Sequence, residues 1–251
     1  MIKFFRKIRQ RLLTENNFSK YLLYAIGEIV LVVIGILIAL QINNSNIKRI
    51  DKTIEIKYLK NIKVDLEKDL GNINYNLEFR HKKSAGTKKL IEQINGLPVD
   101  NLTELTYNVM NTLYNERFQP SNVTYNDLVS SGNLNLISND SIKILLLELS
   151  LLHQNNEFYI EHETSEYEEY ISKPIYKFTD IERIKPFFLG LKTAEEENIR
   201  IENFNNLFQS NEYRNGCVVL NWTTEGFIEL YQQIDTKSKR IIELINIELK
   251  K

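Results

Sequence analysis

YLLYAIGEIVLVVIGILIALQI, residues 21–42, decides how the rest of the chain is read. Apart from tyrosine it holds one ionisable side chain, Glu28, and it holds no proline. As a helix it would reach about 30 Å, the thickness of a bilayer's hydrocarbon layer. A secretory signal would have a shorter apolar stretch ending in a small-x-small cleavage site. This run ends in Ala39, Leu40, Gln41 and Ile42, so it reads as an uncleaved anchor whose first partner is the lipid bilayer.

On its N-terminal side, Lys3, Arg6, Lys7, Arg9, Arg11 and Lys20 stand against one acid, Glu15. Basic residues are retained on the cytoplasmic side of a membrane, so the N-terminus is expected in the cytoplasm. In MIKFFRKIRQRLL, residues 1–13, apolar and basic residues interleave as in an amphipathic helix lying on an anionic leaflet. Tyr21 and Tyr24 are expected at headgroup level.

Glu28 lies about 10 Å inside the apolar run, where an uncompensated carboxylate is costly. Gly35 and Ala39 form a small-xxx-small pair on the same helical face, so Glu28 is a candidate for a packed helix interface. The other reading is an acid that reaches back to the headgroups or the basic flank.

Beyond the anchor, Ile50, Ile54, Leu59, Ile62, Leu66, Leu70, Ile73 and Leu77 recur mostly every three or four positions, which predicts a long amphipathic stalk helix. Gly96, Leu97 and Pro98 should end it. Asn101 with Glu104 predicts a capped helix through about Glu116. The segment TYNDLVSSGNLNLISND predicts a short helix stopped by Gly132, a turn, and a new helix capped near Asn139 or Asp140. That helix should run to Pro174, with residues 174–200 irregular around Pro186 and Gly190. A further helix is expected over roughly 202–213. The last should begin near Trp222 or Thr223, with Phe227, Tyr231, Ile234, Ile241, Ile245 and Leu249 at near-heptad spacing.

No alternating strand pattern emerges, so the expected fold is all-α: a single N-terminal transmembrane helix leading to a long stalk helix and a periplasmic helical bundle. The corresponding division is a basic cytoplasmic tail over 1–20, the transmembrane helix over 21–42, the stalk over 43–96, and a helical soluble domain over 97–251 that packs on the stalk.

Two stretches resemble a known family. MIKFFRKIRQRLLTENNFSKYLLYAIGEIVLVVIGILIALQINN, residues 1–44, resembles the N-terminus of an uncharacterised family of single-pass membrane proteins common in flavobacteria and their relatives. FQPSNVTYNDLVSSGNLNLISN, residues 118–139, resembles that family's internal signature. The resemblance implies a Gram-negative inner membrane and a periplasmic domain, and it implies no activity. Within the signature, Tyr125, Asp127, Gly132 and Asn133 are candidates either for holding a helix-turn-helix or for bordering a ligand groove.

The charges nearly cancel, 32 basic against 33 acidic, so there is no footprint for nucleic acid. Cys217 is the only cysteine, which excludes an intrachain disulfide and CxxC chemistry. His153, Glu157 and Glu161 at i, i+4 and i+8, and His162 with Glu166, are residue types that bind metals. With no second ligand cluster in the sequence they read as a solvated acidic face. The chain lacks a glycine-rich phosphate loop, GxSxG and HExxH, so no catalytic, cofactor or metal residue is assigned.

The expected function is therefore a non-enzymatic, membrane-anchored interaction or scaffold protein, with a protein partner or self-association. The alternative is a subunit of an ion-coupled or transport complex that uses Glu28.

Overall fold

A computed structural model describes residues 18–250, with side chains from residue 22 onward. The basic, amphipathic N-terminal stretch and the Tyr21 side chain lie outside the described residues. The chain divides into two units, Met1–Ile56 and Lys57–Lys251.

The elements are helical throughout, with no strand among the described residues. Helix α1 spans Phe18–Ile94, α2 Leu102–Thr112, α3 Val123–Ser130, α4 Asp140–Glu166, α5 Lys173–Phe178, α6 Ile181–Phe188, α7 Asn205–Gln209 and α8 Asn211–Glu248. Short 3₁₀ turns lie at Asn133–Leu136 and Ile201–Phe204, and a π-helical turn, Tyr167–Ser172, joins α4 to α5.

In the first unit, the apolar part of α1 is one helix long and apolar enough to cross a membrane, and its most apolar stretch is uncovered by the rest of the chain. Leu23, Ile29, Leu31 and Leu37 each expose more than half of their surface.

The second unit is built on heptads. Along α1 the inward residues run Leu59, Ile62, Leu66, Asp69, Ile73, Asn76, Arg80, Lys83, Thr87 and Leu90, alternating steps of three and four. Helix α4 repeats this with Ile142, Leu146, Leu149, His153 and Asn156, and α8 with Leu220, Thr224, Phe227, Tyr231, Ile234, Ser238, Ile241 and Ile245. This spacing keeps one seam of each helix on its neighbours, and each fully buried Leu or Ile contributes about 1.5–3 kcal/mol.

Side-chain contacts give the helix directions. Ile62 and Leu66 border the same cavity as Leu146 and Leu149, and Arg80 meets Glu163, so this part of α1 runs parallel to α4. Lys63 meets Asn246 and Asn95 meets Arg214, so α8 runs antiparallel to α1. Residues 101–133 return alongside α1, from Lys89 with Glu104 to Tyr58 with Asp127. The result is an up-down-up-down four-helix bundle whose second helix is broken into α2, an extended segment and α3.

Several expected boundaries move. Asn101 caps α2 as its spacing predicts, its side chain accepting the Glu104 N–H, but the helix ends at Thr112 rather than Glu116, where the extended segment begins. Gly132, at φ 73°, stops α3 and leads into the 3₁₀ turn, and the Asn139 side chain accepts the Ser141 and Ile142 N–H groups to cap α4. Pro174 does not end the helical path. It lacks the N–H that would bond four residues back, and the backbone widens into the π-helical turn and continues as α5. Pro186 is tolerated inside α6.

The expected helix over 202–213 is instead a 3₁₀ turn and the short α7. Helix α8 begins at Asn211, capped by Ser210, and runs through Gly216 instead of starting near Trp222. A Cβ on Gly216 would lie 2.6 Å from the Tyr170 carbonyl oxygen, so the glycine serves a close helix approach and does not break the helix.

Candidate functional site

The broken second helix creates the site. Residues 113–122 have no helical hydrogen-bond ladder, yet part of their backbone is buried, so their polar groups need partners from elsewhere. The inward positions of the neighbouring helices supply them. Lys83 Nζ donates to the Tyr114 carbonyl at 2.6 Å and to Asn115 Oδ1, and Arg80 Nη2 donates to the Glu116 carbonyl at 2.9 Å. Asn156 Nδ2 donates to the Phe118 carbonyl at 3.0 Å, and the Phe118 N–H donates to the Tyr231 hydroxyl at 3.4 Å. The Ser121 N–H donates to both oxygens of Asp69 at 3.0 Å.

Arg80 is at the centre. It grips Glu163 of α4 through both carboxylate oxygens, the second at 3.0 Å, and its guanidinium lies 3.9 Å from the centroid of the Phe227 ring on α8. Both charges are fully buried, and a buried charge persists only when it is paired and hydrogen-bonded. Burial pushes the Lys83 ammonium down to about 7, so near neutral pH much of Lys83 is a neutral amine, which still has two hydrogens for its two acceptors. In that state the Arg80–Glu163 charges balance. Burial also raises the Asp69 carboxyl above the usual carboxylate range, against the lowering effect of the Ser121 N–H.

A cavity of about 20 Å³ lies beside this network, lined by Asp69, Ser121, Asn122, Tyr125 and His153 among others. It has room for about one water molecule. His153 Nδ1 lies 2.9 Å from Asn122 Oδ1, so the neutral ring carries its proton there. Burial lowers its pKa from 6.5 to about 4. The unfolded chain therefore takes up this proton before the folded chain does. The stability it contributes, on the order of 3 kcal/mol, is present above pH 6.5 and is lost as pH falls through 4. The thermal midpoint of the wild type should drop more between pH 7 and pH 4.5 than that of His153→Gln. Parallel pH profiles for the two would refute this.

Among the family-like signature residues, Asp127 and Asn133 meet at a residue the sequence reading passed over, Tyr58 of α1. The Tyr58 hydroxyl donates to Asp127 Oδ2 at 2.9 Å and accepts from Asn133 Nδ2 at 3.0 Å. Gly132 supplies the left-handed turn between α3 and the 3₁₀ turn. Tyr125 lies apart from this clasp and borders the water-sized cavity.

Glu28, Gly35 and Ala39 belong to the first unit. Glu28 is half-buried, Gly35 and Ala39 are exposed, and a Cβ at Gly35 would meet nothing within 4 Å. Of the residues with metal-binding side chains, Glu157 and Glu161 are exposed while His153 is buried, and His162 lies 4.0 Å from Glu166. No group of three His, Cys, Asp or Glu that could hold a metal occurs among the described residues.

The sequence reading missed Arg80, Lys83, Asp69, Asn156 and Glu163. A signal was available: the heptad register of α1 continues through residues 76, 80, 83 and 87, all of them polar. The apolar spacing points to Leu70 and Leu77, but these are only half-buried, while their neighbours Asp69 and Asn76 are buried.

Together these features define an all-helical protein: one membrane-length apolar helix and a four-helix bundle with a buried polar network. The chain belongs to a family of unknown function (DUF6090), which matches residues 28–186. The match runs from Glu28 through α4 and into α6 and stops short of α8, the helix that completes the bundle. No curated protein and no solved structure matches the chain.

Proposed function

We propose that this chain is a membrane-anchored, non-enzymatic interaction or scaffold protein, held in a bacterial inner membrane by residues 21–42. Its N-terminus is cytoplasmic and its helical domain periplasmic, where it engages a protein partner or a second copy of itself. The observation that carries this reading is the uncovered apolar length of α1. Some twenty apolar residues that their own chain leaves bare require lipid or another helix around them.

The experiment is a mass measurement on the full chain in mild detergent, for the wild type and two Glu28 variants. The wild type should run as an assembly larger than a monomer. With Glu28 at a helix interface, Glu28→Gln keeps a hydrogen-bonding group and preserves the assembly, while Glu28→Leu weakens it at least tenfold. A monomeric wild type that also captures no other membrane protein would sink the scaffold reading. Loss of the cellular phenotype in Glu28→Gln with the assembly intact would replace it with ion coupling through the carboxyl group.

A further inference from the structure

Helix α4 is apolar on two opposite faces. One enters the bundle through Leu146 and Leu149. On the other, Ile144, Leu147, Leu151 and Phe158 are exposed by 55, 46, 59 and 65%. A helix in a folded domain ordinarily shows water a polar face, and a contiguous apolar stripe marks a contact surface. Residues 144, 147, 151, 154 and 158 fall on successive a and d positions of a heptad, with Gln154 the one polar member.

We infer that this outer face of α4 is a parallel, two-fold interface with a second copy of the same chain. The inference rests on the self-association branch of the function proposed above and adds the surface that carries it.

Three features select a second copy. The first is the seam itself. In a parallel pair each a or d residue faces its own equivalent, so Ile meets Ile, Leu meets Leu, and Gln154 meets Gln154 of the second copy. The amide pair can hydrogen-bond only in that register, and every shifted register sets Gln154 against an apolar side chain.

The second is charge. In a parallel pair the residue before each a position faces the residue five further along the other helix. Lys143 then faces Glu148, and Glu157 faces His162. Within one chain Lys143 holds Asp140 and Lys237 holds Glu148 at the surface, so these charges already border the seam and can be shared across it.

The third is direction and area. Helix α4 runs parallel to the 57–94 part of α1. A two-fold axis along α4 therefore puts residue 57 of both copies at the same end, as two chains anchored in one bilayer require. The exposed parts of the four apolar side chains amount to about 400 Å², near half of the ~800 Å² per partner in a standard interface. Trp222, 76% exposed and lining the same groove as Phe158, extends the patch. Confinement to a membrane raises the effective concentration, so a modest interface suffices.

The test uses the full-length protein, purified and reconstituted in liposomes. Single Leu147→Cys and Leu151→Cys variants should form self-disulfides on mild oxidation, while Val64→Cys, exposed on α1, should not. The native Cys217 is buried, so its background is low. Leu151→Asp should raise the dimer dissociation constant at least tenfold with helical content unchanged. A dimeric wild type with no seam disulfides, and with Leu151→Asp still dimeric, would overturn this surface and leave self-association standing. A monomeric wild type would overturn both. Disulfides formed only between mixed Ile144→Cys and Phe158→Cys chains would overturn the parallel arrangement.

Discussion

Arg80→Met should lower the unfolding free energy by about 3–5 kcal/mol, a large part of the stability of a domain this size. Methionine keeps the apolar stem of arginine, so what the variant removes is the charged guanidinium head, and the space that head filled adds a smaller cavity cost. The variant leaves the Glu163 carboxylate buried without its cation, deprives the Glu116 carbonyl of its donor, and removes the guanidinium from the Phe227 ring. Glu163 and Phe227 stay out of water whether or not they are paired, and an unpaired buried charge costs more than the intact pair contributes. The double variant Arg80→Met/Glu163→Leu should accordingly be more stable than Arg80→Met alone. Denaturant unfolding of the full chain in detergent, followed by circular dichroism, checks both. A single-variant loss below about 1 kcal/mol would show that the pair is hydrated and not sealed.

The second large effect is expected at Gly216. In an unobstructed helix interior, Gly→Ala stabilises by about 1 kcal/mol. At 216 the added methyl would lie 2.6 Å from the Tyr170 carbonyl oxygen and 2.8 Å from the Tyr170 Cβ. Neither atom can swing away, so α8 must back off the π-helical turn at a cost of about 1–3 kcal/mol. The net change should therefore be destabilising. Gly71→Ala, with nothing within 4 Å of the new Cβ, should be neutral or stabilising. Gly226→Ala falls between, because its nearest contact is the edge of the Tyr159 ring, which can move. Thermal midpoints for the three variants give the test, and a Gly216→Ala midpoint at or above wild type would contradict the close approach.

What the sequence determined by itself is local. An apolar run without proline can only be helical where its backbone must satisfy itself, and residues 21–42 announce that directly. Steps of three and four along α1 and α8 specify helices that bury one seam. Asn101, Gly132 and Asn139 mark helix ends because capping and left-handed turns depend on neighbours a few residues away. From these the all-helical class and the starts of α2, α3 and α4 were legible.

What only the tertiary structure decided concerns partners distant in the chain. Pro174 and Gly216 look like breakers, and both are accommodated where α8 meets the π-helical turn: a widened turn on one side and a helix without a side chain on the other. Arg80, Lys83, Asp69 and Glu163 carry no local mark of burial, because charge in a helical repeat is ordinarily solvated. They are buried because the second helix of the bundle is interrupted at their level and its backbone must be hydrogen-bonded from across the core. Tyr58 and Asp127, 69 positions apart, form one clasp only once the second helix of the bundle lies alongside α1. A short-range pattern specifies which residues turn inward. Only the folded bundle specifies what waits there for them.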